Sequence, residues 1–313
     1  MKEKAVNTEP QGRVLITGSG GMTGLALTNR LEAAGWEVVH LHRGRKPARH
    51  KTASYYWSPQ SGYIDTAAFN GITHIIHLAG AGIADKRWNS ARKAEILSSR
   101  VDTATLLFDT AMKEGADVKC FISSSATGYY GNDTATRILT EESPAGKDFL
   151  AMTCVKWEEA ADLFRKSGIR TVKIRTGIIV SARGGFLKRI MPLIRLHKAL
   201  WFGSGKQYFP WIYNDDLCSI YMKALVDTNM EGPINAVAPV QVTQREFITA
   251  IARIKGKPIV RAGIPAIFLK IILGKMSSML LNGNRVSATA LEAAGFKWLC
   301  KTPEDAVGMI RNP

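Results

Sequence analysis

Glycines at positions 18, 21 and 24 form the segment whose spacing most clearly indicates chemistry. They follow an apolar run at residues 13–17 and precede a stretch in which apolar residues have helical spacing. Glycines between a strand and a helix permit a tight turn, close approach of the backbone to a pyrophosphate, and close packing of helix on strand. The first N–H groups of such a helix bind phosphate oxygens. The pattern predicts a dinucleotide site formed by Gly18, Ser19, Gly20, Gly21, Met22, Thr23 and Gly24.

The end of the next predicted strand, at residues 37–41, determines which dinucleotide is preferred. An Asp or Glu there binds the adenosine ribose 2′-hydroxyl and repels a 2′-phosphate. The sequence instead continues with His42, Arg43, Gly44, Arg45 and Lys46, and it has no carboxylate. A charge-assisted hydrogen bond from Arg43 is worth about 1.5–3 kcal/mol. We therefore predict that the chain prefers NADP(H) over NAD(H). The alternative is that these basic residues are solvated charges of a surface loop.

Strands and helices alternate through the first half of the chain. Apolar strands are predicted at residues 13–17, 37–41, 74–78, 118–123 and 170–180, and helices at 23–34, 87–112 and 148–166. This alternation is typical of a parallel sheet in an α/β protein. We predict a Rossmann-type doubly wound parallel sheet over residues 12–180, to which the chain returns around 211–240. A smaller, mostly helical C-terminal substrate lobe is predicted at 181–313, with a helical C-terminal domain from about residue 258.

The composition is ordinary for a globular protein, with 46% hydrophobic and 22% charged residues. Four cysteines, at positions 120, 154, 218 and 300, are too far apart for a zinc site or a disulfide framework. Scattered thiols are typical of a reducing compartment, and no apolar leader follows the N-terminal Met-Lys-Glu-Lys. We therefore expect a cytoplasmic protein without a metal.

The formal net charge of +16 would attract an anionic partner. The basic residues lie in separate clusters, one at residues 42–51 and another at 86–93, without a zinc-finger, RNA-recognition or helix-turn-helix pattern. We expect part of this charge to face an anionic cofactor and no nucleic acid to bind.

The longest apolar stretch runs from residue 264 to residue 281 and is interrupted by Lys270, Gly274 and Lys275. A membrane span needs about 20 mostly apolar residues. The stretch therefore predicts one or two amphipathic helices packed in a small lobe, without a membrane partner. A helix lying on a membrane surface is the alternative.

Three longer strings carry a family resemblance: Thr17-Gly18-x-x-Gly21-x-x-Gly24, His77-Leu78-Ala79-Gly80-Ala81, and Ile122-Ser123-Ser124-Ser125-Ala126-Thr127. Together they resemble the extended short-chain dehydrogenase/reductase superfamily, which includes nucleotide-sugar epimerases. Further strings narrow the resemblance to atypical epimerase family proteins of the YfcH type: Lys86-Arg87-Trp88, Gly128-Tyr129-Tyr130-Gly131, Arg175-Thr176-Gly177, and Trp211-Ile212 before Asp215-Asp216. The tail, with Gly295-Phe296-Lys297-Trp298, resembles that family's C-terminal domain of unknown function.

The sequence departs from the superfamily at its catalytic pair. Members typically carry Tyr-x-x-x-Lys on the helix after the serine-rich strand, with Tyr as the acid/base. If Glu158 is aligned with the glutamate that follows that motif, Leu150 stands at the Tyr position and Cys154 at the Lys position. Leucine has no proton to give, and a thiol supplies no positive charge. Lys156 is predicted to lie on the surface, because it points about 200° away from Cys154.

The resemblance also implies contacts along the crevice. Leu78, Ala79 and Gly80 match the segment below the adenine, and Arg175 with Gly177 matches the segment near the nicotinamide. The cofactor set implied by relatives also includes Ser123 and Arg100. The candidate substrate residues are Lys86, Trp88, Trp211 and Tyr213.

Three hydroxyls are candidates to replace the missing pair: Ser125, Tyr129 and Tyr130. Ser125 matches the superfamily's catalytic hydroxyl, at the carboxyl end of a strand. A phenol has a pKa near 10, so it needs a nearby cation to act as a base, and Arg100 is the candidate. The alternative is that both tyrosines only pack the loop.

Two functions remain open from these residues. One is a reductase-like NADP(H) oxidoreductase of unknown substrate with an unusual acid/base group. The other is a non-catalytic NADP(H)-binding sensor or regulatory scaffold. Nucleotide-sugar epimerisation is disfavoured because it needs the missing Tyr. Relatives often dimerise through the two long helices at residues 87–112 and 148–166, so the resemblance implies a homodimer.

Overall fold

The computed structural model describes residues 11–44, 52–132, 136–181, 184–195, 198–253 and 260–311. The strands in this part of the chain are β1 Arg13–Thr17, β2 Glu37–His42, β3 Ala53–Ser58, β4 Tyr63–Ile64, β5 His74–His77, β6 Cys120–Ala126, β7 Ile138–Leu139, β8 Arg170–Thr176, β9 Ile178–Ser181, β10 Lys198–Phe202, β11 Trp211–Tyr213, β12 Gly232–Ala236, β13 Val260–Ile264 and β14 Arg285–Val286. The helices are α1 Met22–Ala33, α2 Ser90–Lys113, α3 Phe149–Lys166, α4 Gly185–Arg195, α5 Asn214–Val226, α6 Gln244–Ala252, α7 Ala266–Leu273, α8 Ser278–Leu281, α9 Thr289–Ala293 and α10 Pro303–Arg311.

The central sheet has the strand order β12-β8-β6-β5-β1-β2-β3-β4. All neighbours are parallel except β3 and β4, which are antiparallel. The strand order reverses between β1 and β5. From β1 the chain continues to β2 and β3 on one side, and from β5 it continues to β6, β8 and β12 on the other. Ligands of doubly wound sheets bind in the crevice at the carboxyl ends of the strands at such a reversal. The predicted Rossmann-type fold is therefore confirmed.

Helices cover both faces of the sheet with separate apolar cores. On one face, Leu27 of α1 and Tyr221 of α5 pack with Ile16 of β1. On the other face, the rings of Phe121 in β6 and Phe164 in α3 are stacked with centroids 3.9 Å apart. Because both faces are buried, the strands are apolar without alternation, which is the pattern that the sequence shows.

The strand predicted at residues 170–180 is two strands, β8 and β9, which separate at Gly177. A β-carbon on Gly177 would lie 2.6 Å from the carbonyl oxygen of Pro210, so only glycine permits this close approach. β8 pairs with β6 and β12 in the central sheet, whereas β9 pairs with β11 in a separate two-stranded sheet. The glycine thus redirects the chain out of the central sheet, directly above the crevice.

The helix predicted from residue 87 begins at Ser90, because the side chain of Asn89 accepts a hydrogen bond from the Arg92 N–H at 2.7 Å and caps the helix. α3 has an equivalent cap, in which Asp148 accepts from the N–H groups of Leu150 and Ala151. The sequence reading also missed β3, an aromatic-rich strand.

The C-terminal segment is anchored on the central lobe by Asp216. Its carboxylate accepts hydrogen bonds from the N–H groups of Leu299 at 2.6 Å and Cys300 at 3.0 Å. Burial raises the pKa of Asp216, and the two N–H groups oppose that rise. No helix within the described ranges has both the length and the apolar character needed to cross a membrane.

Candidate cofactor and substrate site

The glycine loop after β1 is tightly folded against the segment after β5. Gly18 has φ +70°, and a β-carbon there would lie 2.9 Å from the carbonyl oxygen of Leu78. A β-carbon on Gly24 would lie 2.5 Å from the Gly18 carbonyl oxygen. That same oxygen accepts from the Gly21 N–H at 3.0 Å. The first and third glycines are therefore required by close backbone packing.

The outer side of the loop is open and has the character of a phosphate site. A β-carbon on Gly20 would meet no atom within 4 Å. Gly21 is the N-cap residue of α1, no side chain caps that end, and the first turn contains no acidic residue. The first N–H groups of α1 therefore have no side-chain acceptor at the cap, and an anion suits that position.

Two predicted loop contacts face other parts of the protein. The Thr23 hydroxyl donates to Oδ1 of Asn214 at 2.8 Å, which ties α1 to α5. The Met22 sulfur lies 3.1 Å from the position of a β-carbon on Gly184, so the chain after β9 approaches the phosphate loop. Ser19 is buried, with 8% of its surface exposed.

A buried hydrogen-bond chain joins the carboxyl ends of β1 and β5. The Thr17 hydroxyl oxygen accepts from the N–H groups of Leu78 and Ala79, both at 3.2 Å, and the hydroxyl therefore donates to Nδ1 of His77 at 2.8 Å. Nε2 of His77 lies 3.1 Å from the Thr103 hydroxyl. Burial lowers the pKa of His77 to about 4, so the imidazole is neutral and the network fixes the tautomer protonated on Nε2.

Arg100 supports the backbone that follows β5. Its guanidinium donates to the carbonyl oxygens of Ile96 at 2.8 Å and Ala81 at 3.1 Å, and it lies 5.0 Å from the ring centre of Trp157. A β-carbon on Gly80 would lie 3.1 Å from the guanidinium carbon. Burial lowers the pKa of Arg100. Arg100 therefore shapes the floor of the crevice through Gly80 and Ala81.

An ion pair is buried at the carboxyl end of β8. Nε and Nη2 of Arg175 donate to the two carboxylate oxygens of Glu158 at 2.8 and 2.9 Å. The Ser125 hydroxyl donates to the same carboxylate at 2.7 Å. The side chains of Arg175 and Glu158 are only 3% and 7% exposed, so the charges are desolvated and must stay paired.

The two tyrosines after β6 have different environments. The Tyr130 hydroxyl donates to Oδ1 of Asn235 at 2.6 Å and accepts from Nη1 of Arg175 at 3.1 Å, and burial raises its pKa to about 12. Tyr129 is half-buried, its ring centre lies 3.5 Å from the guanidinium carbon of Arg175, and no described residue hydrogen-bonds its hydroxyl. The cation beside the tyrosines is thus Arg175 and not Arg100, which corrects the prediction. Long-range pairing between β6 and β8 brings Arg175 there.

Leu150 and Cys154, which stand at the positions of the Tyr and Lys of Tyr-x-x-x-Lys, both lie beside the loop after β6. A β-carbon on Gly128 would lie 3.6 Å from Cβ of Leu150 and 3.9 Å from Sγ of Cys154, so both side chains face the loop after β6. Burial raises the pKa of Cys154 to about 12, and the thiol is neutral. Lys156 is exposed and pairs with Glu159 at 3.2 Å, which confirms its predicted surface position. Neither α3 position supplies an acid or a cation.

Ser123 is buried within β6, and its hydroxyl donates to the carbonyl oxygen of Ser124 at 2.9 Å. The Ser124 hydroxyl lies 2.6 Å from the Tyr221 hydroxyl of α5. Of the three serines, only Ser125 hydrogen-bonds the buried ion pair, so the three hydroxyls have different partners.

The predicted substrate residues lie in two different places. Trp88 is half-buried, donates from Nε1 to the Ile83 carbonyl oxygen at 2.8 Å, and packs edge-on against Phe149, while Lys86 is exposed. Trp211 is 1% exposed and packs on Phe247. Trp211 and Tyr213 belong to an apolar core. Both rings are largely covered, and Trp211 also lines a small cavity with Tyr208 and Val237, so a place on a substrate wall stays a prediction for these two residues.

Arg43 lies exposed just beyond β2, at the edge of the crevice, whereas Arg45 and Lys46 lie outside the described residues. A hydrogen bond from Arg92 lowers the pKa of Glu95, and the charges of Arg92, Lys86 and Arg43 lower it further. Arg43 and Lys86 therefore both lie near enough to the Glu95 carboxylate to act on its charge.

Sequence reasoning gave no structural role to Glu158, Asn235 and Asn214, which organise the site, or to Asp216, which anchors the C-terminal segment. The signal was partly present, because a carboxylate on the inner face of a helix requires a cation. For the two asparagines and Asp216, the partners are far away in the sequence, and no local pattern points to them.

The sheet, the reversal between β1 and β5 and the open glycine loop define a protein of the NAD(P)-binding Rossmann class. The chain belongs to the NAD dependent epimerase/dehydratase family, whose model matches residues 14–236. Residues 264–310 match a domain of unknown function, DUF1731. The resemblance to epimerase family proteins is thereby confirmed.

Particular relatives cover nearly the whole chain. An epimerase family protein of Mycobacterium bovis is 37% identical over 296 residues, which are 94% of this chain and 96% of that protein. The human epimerase family protein SDR39U1, whose crystal structure was determined with NADPH, is 29% identical and has a TM-score of 0.85. The match covers 96% of this chain and 100% of the human one. UDP-glucose 4-epimerase of Thermus thermophilus in complex with NAD, 19% identical with a TM-score of 0.74 over 96% of this chain and 99% of that one, shares the fold.

Proposed function

We propose that the protein is an NADP(H)-dependent oxidoreductase that reduces a carbonyl substrate. The observation that carries the cofactor choice is the exposed Arg43 directly after β2, in a turn without a carboxylate. An arginine there pairs with a 2′-phosphate, whereas an acidic residue would repel it. The NADPH in the human relative supports this choice.

The residues that would hold NADP(H) fit the group. The open face at Gly20 and the first N–H groups of α1 suit the pyrophosphate, and Arg43 suits the 2′-phosphate. The backbone at Ala79 and Gly80, supported by Arg100, forms the crevice on the adenine side. When bound, NADPH supplies a hydride.

The proton for such a reduction comes, in this proposal, from Tyr129. Its ring is held on Arg175, and its hydroxyl has no partner among the described residues. A tyrosine hydroxyl can give its proton to a carbonyl oxygen that gains negative charge. Leu150 and Cys154 supply neither an acid nor a cation to this step, so Arg175 is the cation that lies against the phenol ring.

Ser125 has a supporting place in this proposal. The Ser125 hydroxyl donates its hydrogen bond to Glu158. It can therefore orient neighbouring groups and accept a hydrogen bond, but it does not transfer a proton to the substrate. Tyr130 is likewise held by Asn235 and Arg175.

A second candidate function is a non-catalytic NADP(H)-binding sensor. It is favoured by Leu150 and Cys154 on α3, which supply neither an acid nor a cation. The hydrogen bonds that occupy the hydroxyls of Ser125 and Tyr130 favour it as well. The two candidates share the cofactor site and differ only in turnover.

The test has two parts. Fluorescence titration should show tighter binding of NADPH than NADH, and Arg43→Asp should weaken NADPH binding by roughly 10-fold or more while leaving NADH nearly unchanged. Equal affinities in the wild-type protein would refute the 2′-phosphate assignment. NADPH oxidation is then followed at its absorbance band with aldehydes, ketones and quinones. Tight NADPH binding without turnover across this panel would favour the sensor.

A further inference from the structure

Helix α7 presents an apolar face to solvent. Ile267, Phe268, Ile271 and Ile272 are between 56% and 67% exposed, whereas Leu269 is 7% exposed. Val226, which is 62% exposed, lies on a different helix, α5. Helices α7 and α8 lie in the stretch for which the sequence predicts one or two amphipathic helices, and α7 buries only its Leu269 side.

The four exposed side chains, which we call the α7 face, form one continuous surface. At about 100° per residue they cover an arc of about 140°, and Leu269 points away from that arc. Four large side chains exposed by more than half give an apolar patch on the order of several hundred Å². Patches of that size mark interaction sites.

The surroundings of the α7 face are basic. Lys270 lies about 60° from Ile267 around the helix and is exposed. Lys275 follows the helix and is exposed too. Nη2 of Arg87 lies 3.3 Å from the position of a β-carbon on Gly274, so the central lobe adds a cation at the end of α7.

The sequence around α7 has a one-sided charge. Between Glu246 and Glu292 the chain contains no acidic residue. The same stretch carries seven basic residues: Arg253, Lys255, Lys257, Arg261, Lys270, Lys275 and Arg285. An apolar face beside lysines is the pattern that binds an anionic lipid surface, where the apolar side chains enter the headgroup boundary and the ammonium groups contact the headgroups.

We propose that α7 anchors the protein to an anionic membrane surface. The α7 face enters the boundary between headgroups and acyl chains, and Lys270, Lys275 and Arg87 bind the anionic headgroups. A second copy of the chain fits this face less well, because a symmetric contact would bring the same lysines together. The proposal is independent of the proposed oxidoreductase function, since none of these residues belongs to the glycine loop or the Arg175 network.

The experiment is co-sedimentation of the full chain with vesicles of phosphatidylcholine, with or without phosphatidylglycerol. We expect sedimentation with the anionic vesicles and loss of binding at high salt. The double variant Phe268→Glu, Ile271→Glu should weaken binding roughly 10-fold or more. Neutralisation by Lys270→Gln and Lys275→Gln should cost about fivefold for each lysine. The matched control Val226→Glu, at an equally exposed apolar side chain on α5, should bind like the wild-type protein.

Three results would overturn the proposal. One is no sedimentation with anionic vesicles, or equal sedimentation of the double variant. Another is conversion of a dimer to a monomer by the double variant in sedimentation velocity, which would assign the α7 face to self-association. The third is a raised KM for a carbonyl substrate without a change in vesicle binding, which would assign it to the substrate. NADPH titration of each variant checks that the cofactor site is intact and keeps this test separate from the proposed activity.

Discussion

The guanidinium carbon of Arg175 lies 3.5 Å from the ring centre of Tyr129, while two nitrogens of the same guanidinium hydrogen-bond the buried carboxylate of Glu158. The ring therefore rests on a cation that cannot move without breaking a desolvated ion pair. This arrangement fixes the orientation of the phenol at the carboxyl end of β6. Rigid placement of a donor is what catalysis by a side chain requires, so this contact supports the proposed role of Tyr129.

Tyr129→Phe tests this relationship. Removing only the hydroxyl should lower NADPH-dependent turnover by about 10²–10⁴-fold, the usual contribution of a general acid, and leave NADPH affinity unchanged. The measurement is kcat with the best carbonyl substrate, together with NADPH titration.

Tyr130→Phe is the matched control on the next residue. Its hydroxyl is buried between Asn235 and Arg175, so the substitution should lower the free energy of unfolding by about 1–3 kcal/mol. Turnover per folded molecule should remain close to the wild-type value. If Tyr129→Phe keeps its turnover while Tyr130→Phe loses it, the assignment of the proton donor is wrong.

Glu158→Gln tests the buried ion pair. The amide keeps the shape but leaves the charge of Arg175 without its partner, and breaking a buried pair in this way costs about 3–5 kcal/mol. Urea unfolding should show that loss in the free energy of unfolding. Glu159→Gln is the control, because Glu159 is exposed and its pair with Lys156 should contribute less than about 1 kcal/mol. Equal losses in the two variants would contradict the structural role of Glu158.

Gly24→Ala and Gly20→Ala separate folding of the phosphate loop from cofactor binding. A β-carbon on Gly24 would lie 2.5 Å from the Gly18 carbonyl oxygen, whereas a β-carbon on Gly20 would meet nothing within 4 Å. Gly24→Ala should therefore lower the melting temperature and NADPH affinity together. Gly20→Ala should leave the melting temperature unchanged. It should weaken NADPH binding because the backbone at residue 20 is where the pyrophosphate is proposed to approach. Normal stability and NADPH affinity in Gly24→Ala would show that the loop does not hold the cofactor as proposed.

The fold and the phosphate loop could be predicted because both are encoded locally. Apolar strands alternating with helices define a parallel sheet, and the glycines at 18, 21 and 24 are needed within one turn. The break at Gly177 could not be predicted, because the contact with Pro210 that requires glycine comes from a distant part of the chain.

The same limit applies within the site. Arg100 and Arg175 are both basic residues on elements that border the crevice, and only strand pairing shows which one reaches Tyr129. Trp211 is equally suited to a core or to an open wall, since a large apolar ring packs in both. An apolar helix such as α7 likewise shows its apolar residues, but its sequence does not show which of them are covered.

The pH dependence of stability follows from His77. Burial lowers its pKa in the folded protein to about 4, from about 6.5 in the unfolded chain. Between these two values the unfolded state binds a proton that the folded state does not, so the free energy of unfolding falls as the pH falls. The contribution of His77 is about 1.4 kcal/mol for each pH unit in this window, and it is absent above the unfolded pKa.

His77→Asn should remove this slope. His74, whose pKa burial also lowers to about 4, contributes a second slope of the same sign that the variant keeps. Urea unfolding at pH values between about 4 and 8 should therefore show the wild-type protein losing stability more steeply on acidification than the variant. The variant is expected to be less stable at neutral pH, because Thr17 and Thr103 lose their buried partner. The difference in slope, not the difference in stability, is the test: parallel curves would mean that His77 is not held neutral between the two threonines.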